Sequence, residues 1–399
     1  MPRAGQVKPP VEERLSDRIA LGVLTRVFTA ELVDEVVAET GRGERRHRLL
    51  PARVVVYFVL AMCLFSGQAY EEVARLLTEG LAWTGRWRGR WEVPSTGAIS
   101  RARARLGPEP LRALFARVCQ PVATVETAGA WYRGRRLVAV DGTTLDVADT
   151  PENDTFFGRP GCGRGDKKGA FPQVRLVVLV ECGTHAVFAA ATGPCTVAET
   201  VLADTLVPHL GPGMLLLADR NFPSHHRWRA AVATGADLLW RIKSNAVLRV
   251  CEQYADGSYR SEIFAAEDRR HVDGQPVRVI EYTVAGHEAD GPIRLITTLL
   301  DPQAAPATEL AALYHERWEV EGILDEIKVH QRGPDAVLRS RYPDGVEQEV
   351  YGFLLVHHAV RQVMHQAALG IGTDPDRLSF TRSLRVVRRQ VPAQAAFSP

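Results

Sequence analysis

RRLVAVDGTTL, residues 135–145, is the stretch at which the sequence changes from helical to strand-like patterning. A short apolar run meets Asp141 and a glycine here, as expected at the end of a buried strand. Similar apolar runs follow at 173–181, 185–192, 211–222 and 236–244, and helical patterns occupy 196–210 and 224–235. The order strand, strand, strand, helix, strand, helix, strand predicts an α/β fold.

The regions on either side differ from this core. Residues 1–125 have helical patterning, and their apolar run at 49–65 contains Arg53 and is marginal for a membrane span, so a buried helix is expected. Residues 244–300 alternate around an Asp-Gly dipeptide, which is typical of a hairpin. We therefore divide the chain into a helical N-terminal accessory and DNA-binding domain, a core in two parts, a β-rich insertion and a basic C-terminal tail: 1–125, 126–243 with 301–370, 244–300 and 371–399.

Composition restricts the function only weakly. The 399 residues are 46% hydrophobic and 24% charged, with a net charge of +2, so charge alone indicates no partner. The six cysteines form no CxxC pair and have no zinc-ligand spacing, which is typical of reduced thiols in a cytosolic protein. The first residues, MPRAGQVKPPVEER, contain no apolar core, so no signal peptide is expected.

One segment of the helical region is strongly basic. Residues 83–107 contain six arginines and three tryptophans against the single acid Glu92. Ser95 or Thr96 is a suitable cap for a helix through GAISRARARL. Such a helix could grip a nucleic-acid backbone, with Arg101 and Arg105 as candidate contacts. The alternative is a solvated helix face with tryptophans that pack in the interior.

Two aspartates follow apolar strands with the same polarity. Asp141 follows LVAV and Asp219 follows LLLA. In an open α/β sheet the carboxyl ends of the strands are where functional groups gather. The alternative for each residue is a turn former or a helix cap.

A third acidic candidate lies in YHERWEVEGILDEIK, residues 314–328. At about 100° per residue, one stripe of a regular helix about 60° wide carries four side chains of different chemistry. They are Tyr314, Arg317, Glu321 and Lys328. The alternative is a surface stripe with an i,i+4 ion pair. Because Asp325 falls close to the same stripe, helix geometry does not select Glu321.

These residue types suit phosphodiester chemistry. Cleavage by two metals needs carboxylates that hold two divalent ions about 4 Å apart. Two aspartates and a glutamate would provide the oxygen ligands that Mg²⁺ prefers, and Mn²⁺ could substitute for it. Arg317 and Lys328 would position phosphates, and Tyr314 could donate a hydrogen bond to one. Trp318 could stack on an unpaired base or pack in the core.

The chain resembles the bacterial insertion-sequence transposases of the DDE superfamily, specifically the insertion-sequence-four family. The resemblance rests on VAVDGTTLDV at 138–147, LLLADRNF at 215–222 and the fourfold pattern Y-x2-R-x3-E-x6-K at 314–328. It implies an RNase H-like core with a mixed five-stranded sheet, a β-rich insertion before the glutamate helix, and an all-α N-terminal domain. It also implies that Glu321 completes an acidic triad with Asp141 and Asp219.

The same resemblance implies an activity and its partners. The activity is metal-dependent nicking at transposon ends followed by strand transfer into target DNA. The implied assembly is a homodimer in a synaptic complex on terminal inverted repeats, with no membrane partner. A cytoplasmic, nucleoid-associated protein is therefore expected.

Other functions remain open on sequence alone. A metal-dependent nuclease would share the triad without strand transfer, and a DNA-binding protein that has lost catalysis would not need the acids. The segment GRPGCGRGDKKG at 158–169 could indicate a nucleotide-binding loop, but it lacks the Gly-Lys-Ser/Thr ending of a P-loop. Several histidines could suggest a metal cluster, although His357 and His365 are expected to be packed or capping side chains.

Overall fold

The described part of the N-terminal region is helical, as predicted. The computed structural model of the chain describes residues 22–43, 50–82, 93–161, 169–283, 291–334 and 336–394. The first helices are α1 Val23–Val27, α2 Ala30–Glu39, α3 Ala52–Leu64, α4 Tyr70–Ala82, α5 Thr96–Leu106 and α6 Glu109–Val118. The tryptophans at 83, 87 and 91 lie outside the described residues.

Local sequence explains where α5 begins and why α3 is buried. Ser95 caps α5 by accepting a hydrogen bond from the backbone N–H of Ala98 at 3.3 Å, which confirms that cap. Nearly all of α3 is buried, so the buried helix predicted for the apolar run is confirmed. Within the described ranges, the structure contains no helix long and apolar enough to span a membrane.

A single mixed sheet forms the centre of the molecule. Its strands are β1 Trp131–Tyr132, β2 Arg135–Asp146, β3 Gln173–Glu181, β4 Ala186–Pro194, β5 Met214–Ala218, β6 Asp237–Ile242, β7 Glu252–Gln253, β8 Tyr259–Ile263, β9 Gln275–Tyr282 and β10 Ile293–Thr297. The strand order is β4-β3-β2-β5-β6-β10-β9-β8-β7, and β1 pairs with β2. The pairs β2–β5 and β5–β6 are parallel, whereas β2–β3 and β3–β4 are antiparallel.

Three helices lie between these strands. They are α7 Pro151–Phe157, α8 Glu199–Leu206 and α9 His225–Ala233. The predicted order of strands and helices is confirmed from β2 to β6 except for α7, which lies between β2 and β3, where no helix was predicted. The fold is a mixed α/β structure that fits an RNase H-like core. The residues 162–168 of the glycine-rich loop lie outside the described ranges.

The end predicted for the first strand is wrong. β2 does not stop at Asp141 but continues to Asp146, because β3 pairs with it antiparallel as far as Asp146–Gln173. The parallel neighbour β5 stops earlier, at the pair Val140–Ala218. From Asp141 to Leu145 β2 therefore has a strand partner on one side only, and this stretch ends where Leu338 donates to the backbone oxygen of Asp146. This open edge of β2, residues 141–145, is the feature on which the candidate site is built.

The segment around the Asp-Gly dipeptide forms the expected hairpin. β7 and β8 pair antiparallel on either side of Asp256-Gly257, and Gly257 adopts φ +85°, which favours glycine. β8 pairs with β9, β9 with β10 and β10 with β6. The strands β7 to β10 thus extend the same sheet beyond β6.

Two apolar cores lie on opposite faces of the sheet. Side chains alternate along β2, so Leu137 and Ala139 join one core and Val138 and Val140 join the other. The first core includes the helices after residue 307, and the second includes α8 and α9. Functional groups can therefore reach the open edge of β2 from either face.

The helical segment that follows β10 is not one regular helix, so that prediction is wrong. It consists of α10 Ala307–Leu313, a 3₁₀ segment Tyr314–Trp318, α11 Glu319–Asp325 and a π segment Glu326–Gln331. Its angular spacing therefore differs from 100° per residue, although Tyr314 and Lys328 still face the sheet. Wide π turns are frequent at functional sites.

Two further helices pack behind this segment. They are α12 Pro343–Ile371 and α13 Phe380–Gln394, with a 3₁₀ turn Pro375–Arg377 between them. α12 contacts α3, α6, β4 and α13. Buried Glu326 links the π segment to α12, because it accepts hydrogen bonds from His357 and Arg361 of that helix. These contacts and the neighbouring His185 hold the pKa of Glu326 below its usual value, although burial opposes them.

Buried His358 should make the stability depend on pH. Burial lowers the pKa of His358 from 6.5 to about 4, so the unfolded state binds the proton more readily. Its contribution is fully favourable above pH 6.5 and is lost as the pH falls toward 4, by about 3 kcal/mol at most. We expect the unfolding free energy measured in urea to fall less between pH 7 and 4 in His358→Gln than in the unchanged protein. Equal losses in both would contradict this assignment.

Candidate active site

The segment 314–328 is attached to the sheet at the open edge of β2. The hydroxyl of Tyr314 donates a hydrogen bond to the backbone oxygen of Ala218, the last residue of β5, at 3.3 Å. The ammonium of Lys328 donates to the hydroxyl of Thr143 at 2.9 Å. Residues separated by 185 positions in the chain therefore meet at one place.

Arg317 connects two of the predicted acids. Its guanidinium lies 4.0 Å from a carboxylate oxygen of Asp141 and donates a hydrogen bond to Glu321 at 3.2 Å. The Arg317 side chain is 5% exposed, and that of Glu321 is 46% exposed. Glu321, rather than Asp325, is thus the acid that faces Asp141 across a single guanidinium.

The ionised carboxylate of Asp141 is unfavourable in its buried position. Burial raises the pKa of Asp141 to about 6; the N–H of Gly142, which donates to it at 2.8 Å, opposes this shift. Repulsion from Glu199 and Glu321 raises the pKa further, and Arg317 opposes it. The carboxylate is therefore under-compensated in the protein alone, which suits a ligand for a cation.

Asp219 follows the last residue of β5. One of its oxygens accepts the N–H of Asn221 at 2.9 Å, so it also forms the local turn, as its alternative interpretation anticipated. Its charge acts on two neighbours: it raises the pKa values of Glu199 and of Tyr314, in each case after burial as the larger cause. Asp219 is thus within electrostatic reach of the open edge.

Glu199 is a fourth acid that the sequence interpretation missed. It lies in the first turn of α8, which begins at this residue. Burial raises the pKa of Glu199, and Asp219 adds to this while Arg175 and the N–H of Gly142 oppose it. Its sequence surroundings, TVAET, are those of an ordinary acidic first turn. The one available signal was the glycine at 142, which leaves room for the Glu199 carboxylate.

The two aromatic candidates have different surroundings. Tyr314 is buried, with 3% exposure, and its hydroxyl is used on the backbone of β5. This placement favours a role in holding the segment against the sheet rather than a direct phosphate contact. Trp318 is 56% exposed, and the Arg317 guanidinium lies 4.9 Å from the centre of its ring. Its exposed surface is available to an unpaired base, which distinguishes it from a core residue.

The basic helix α5 lies apart from these groups. Arg101 and Arg105 are exposed on it, and α5 packs against α3, α4 and α12 rather than against β2 or β5. Arg105 donates to the backbone oxygen of Leu50 at 3.4 Å. Between them, Arg103 is buried and binds groups of α12. The structure therefore does not bring Arg101 and Arg105 to the acids, and they remain candidate contacts for DNA elsewhere.

The distances between possible metal ligands differ between the predicted acids and a second group of side chains. Among the residues that the structure describes, one trio of histidine and carboxylate side chains has its ligand atoms within 4.8 Å of one another: His185, Glu319 and Asp376. Asp141, Asp219 and Glu321 do not meet that spacing; the Arg317 guanidinium lies against both Asp141 and Glu321. His357, as expected, is a packed side chain: it is fully buried and bonded to Glu326.

The acids at the open edge still have the chemistry of a divalent-cation site. They offer carboxylate oxygens, which hard cations prefer. Raised pKa values at Asp141 and Glu199 show that their negative charge is under-compensated. A divalent cation thus fits the residues present.

Comparison with protein families gives two matches along the chain. Residues 18–116 match the family described as insertion element 4 transposase N-terminal. Residues 132–357 match the transposase DDE domain, and this range spans more than half of the chain. The second match includes every acid of the candidate site.

Individual relatives agree with these matches. The chain is 28% identical to the transposase InsG for insertion sequence element IS4 of Escherichia coli K12, over 99% of this chain and 88% of that protein. It is 27% identical to the putative transposase InsZ of the same organism, over 53% of this chain and 68% of InsZ.

A solved structure supports the fold. The piggyBac transposase, in a synaptic complex with hairpin DNA, has a similar structure with a TM-score of 0.50, 12% identity, and coverage of 94% of this chain and 80% of that chain. At this identity the similarity concerns the fold alone. Taken with the domain matches and the acids gathered at the open edge of β2, these comparisons show that the chain belongs to the insertion-sequence-four family of DDE transposases, enzymes that act on DNA.

Proposed function

We propose that the protein cleaves DNA at transposon ends and transfers the strands into target DNA, with Asp141, Asp219 and Glu321 as ligands of Mg²⁺, for which Mn²⁺ can substitute. The observation that carries this proposal is the contact of Arg317 with both Asp141 and Glu321 at the open edge of β2. This contact supports a common centre for the acids of β2 and α11, and Asp219 follows the last residue of the neighbouring strand β5.

Each side chain has a distinct part in the proposal. A pair of divalent cations, when bound, supplies charge stabilisation for the attacking and leaving oxygens of the phosphodiester. Arg317 and Lys328 bind non-bridging phosphate oxygens beside the acids. Lys328 is free to do so because its partner in the structure is the neutral hydroxyl of Thr143, not a carboxylate. Trp318 offers a surface for a base next to the scissile linkage.

We extend the proposal to the organisation of the complex. The protein acts as a homodimer in a synaptic complex on terminal inverted repeats, in the cytoplasm at the nucleoid. Residues 1–125 form the accessory domain with Arg101 and Arg105 as DNA contacts, and 126–243 with 301–370 form the catalytic core. The β-rich insertion is 244–300, and the basic tail 371–399 contains the packed helix α13.

Products distinguish this function from its nearest alternative, a nuclease with the same acids. The test is incubation of the protein with candidate element ends, a target plasmid and Mg²⁺, followed by sizing and sequencing of the products. We expect ends joined to the target. Cleaved ends without joined products would favour the nuclease, and DNA that is bound but never cut would favour a protein that has lost catalysis.

The two cations of the segment 314–328 should contribute less than the acids do. Loss of a charge-assisted hydrogen bond costs about 1.5–3 kcal/mol, so Lys328→Ala or Arg317→Ala is expected to slow cleavage about 10- to 100-fold. Lys243 directly follows β6 and is exposed, so Lys243→Ala is a matched control. Cleavage rates of purified variants on one DNA end measure the effect. Equal rates for Lys328→Ala and Lys243→Ala would contradict the role of Lys328.

A further inference from the structure

We propose that Glu199 is a fourth carboxylate ligand of the divalent-cation site, which it reaches from the face of the sheet opposite α11. This inference rests on the proposed function, because it assigns an additional ligand to the same site. It goes beyond the three acids of the family pattern, none of which lies on α8.

The first observation is the contact between Glu199 and Gly142. A Cβ atom on Gly142 would lie 2.2 Å from an oxygen of Glu199 and 2.9 Å from its carboxyl carbon. The carboxylate therefore rests directly on the backbone of the residue after Asp141. The φ angle of Gly142 is not positive, so its conformation does not require glycine. The space taken by the Glu199 carboxylate is what excludes a side chain here.

The second observation is the topology around this contact. Gly142 lies on the open edge of β2, beyond the last pair with β5. Because side chains alternate, Asp141 faces the core that contains α11, whereas Gly142 faces the core that contains α8. Glu199 from α8 and Glu321 from α11 thus reach the same edge from opposite faces. A cation at this edge would be surrounded by carboxylates from both sides.

The third observation is that Glu199 is not neutralised by a close ion pair in the described contacts. Arg175 is the basic residue that acts on it, but the guanidinium of Arg175 donates to the backbone oxygen of Cys195 at 3.0 Å. A carboxylate that rests on the backbone beside Asp141 and has no close cationic partner among the described contacts is suited to bind a divalent cation.

A purely structural role is the competing explanation. An acid in the first turn of a helix interacts favourably with the helix dipole. Glu152 provides a matched control for that effect, because it lies in the first turn of α7 and is exposed. If the dipole explained Glu199, then Glu199→Gln and Glu152→Gln would have similar, small effects on stability and neither would alter cation binding.

The test is calorimetric titration of the full-length protein with Mn²⁺, with circular dichroism and thermal unfolding to confirm that each variant is folded. We expect Glu199→Gln to weaken Mn²⁺ binding about 10- to 100-fold, Glu199→Asp to recover part of that loss, and Glu152→Gln to bind as the unchanged protein does. Unchanged Mn²⁺ affinity in Glu199→Gln would overturn the proposal.

A second variant tests the geometry without removing any charge. In Gly142→Ala the added methyl group would displace the flexible Glu199 side chain, so the same loss of Mn²⁺ affinity is expected. Normal affinity in this variant would show that the position of Glu199 is irrelevant and would overturn the proposal independently.

Asp141→Asn separates the two proposals. If Asp141→Asn loses Mn²⁺ binding and Glu199→Gln does not, the fourth ligand is refuted and the proposed function stands. If Asp141→Asn binds Mn²⁺ as the unchanged protein does, the site itself is misplaced and the proposed function fails with it.

Discussion

Asp141→Asn is expected to lower Mg²⁺-dependent cleavage of a transposon end by at least about 10³-fold while leaving DNA binding intact. A bound metal supplies several kcal/mol of charge stabilisation, and each 1.36 kcal/mol corresponds to a factor of ten in rate. Asparagine keeps the shape of Asp141 but removes the negative charge that would hold the cation. The measurement is the single-turnover cleavage rate, with DNA affinity determined in parallel.

The same variant should be more stable than the unchanged protein when no metal is present. Burial raises the pKa of Asp141 to about 6, so above pH 6 the carboxylate is ionised in both states, but burial makes its charge unfavourable only in the folded state. Removal of the charge is expected to add at most about 3 kcal/mol to the unfolding free energy at pH 8, and this gain should shrink as the pH falls from 6 toward 4. Lost activity with gained stability is the pattern of a functional residue rather than a structural one.

Asp146→Asn is the matched control for Asp141→Asn. Asp146 lies at the end of the same strand and accepts a hydrogen bond from Gln173 at 2.8 Å, which asparagine can also accept. We expect cleavage within severalfold of the unchanged protein. If Asp141→Asn cut DNA at a rate close to that of Asp146→Asn, Asp141 could not be a ligand of the catalytic cation.

Arg103→Ala is expected to destabilise the protein by about 3–5 kcal/mol. The Arg103 side chain is 6% exposed and donates to Gln348 at 3.0 Å and to Ser340 at 2.9 Å, with Glu349 at 3.9 Å. Removal of one partner of a buried ion pair leaves an uncompensated charge, here that of Glu349, which explains the size of the effect. Urea unfolding monitored by circular dichroism measures it.

Arg101→Ala separates this role from a general effect of the basic helix. Arg101 lies on the same helix two residues earlier but is exposed, so its replacement should change stability by less than about 0.5 kcal/mol. Arg103→Lys should recover little, because an ammonium cannot reproduce the planar fork that binds several partners. A stability loss below about 1 kcal/mol in Arg103→Ala would show that the network does not join α5 to α12 as described.

The order of the core elements was readable from the sequence because its signals are local. Apolar runs of strand length and capped helical patterns report directly on β2 to β6, and the Asp-Gly dipeptide reports on the turn between β7 and β8. The length of β2 was not readable. Its extension past Asp141 depends on pairing with β3, a partner that begins 32 positions later at Gln173.

The positions of the predicted acids could be predicted only in part, because they also depend on contacts between distant parts of the chain. Asp219 follows β5 as expected, but Glu321 and Asp325 could not be separated on an ideal helix, since the 3₁₀ and π segments depend on packing against the sheet. Tyr314 looked like a phosphate contact because the sequence does not show that its hydroxyl is used by Ala218. Glu199 was missed because an acid in a first helical turn is common.

The basic segment shows how residues of one type divide in a fold. Arginine recurs at every second position from Arg101 to Arg105. This pattern does not reveal which of the three arginines contacts a buried acid. The decisive partners of Arg103 lie about 240 residues away, on α12 and the loop before it. Only the tertiary structure distinguishes Arg103, which holds two regions together, from its two exposed neighbours.

The most direct test of the shared cation site is anomalous X-ray scattering from crystals of the protein with a transposon-end DNA and Mn²⁺. We expect Mn²⁺ between Asp141, Asp219 and Glu321, with Arg317 turned from the acids toward a phosphate. Mn²⁺ found only elsewhere, for example at His185, Glu319 and Asp376, with Arg317 still bound to Glu321 beside the DNA, would contradict the assignment of the catalytic acids.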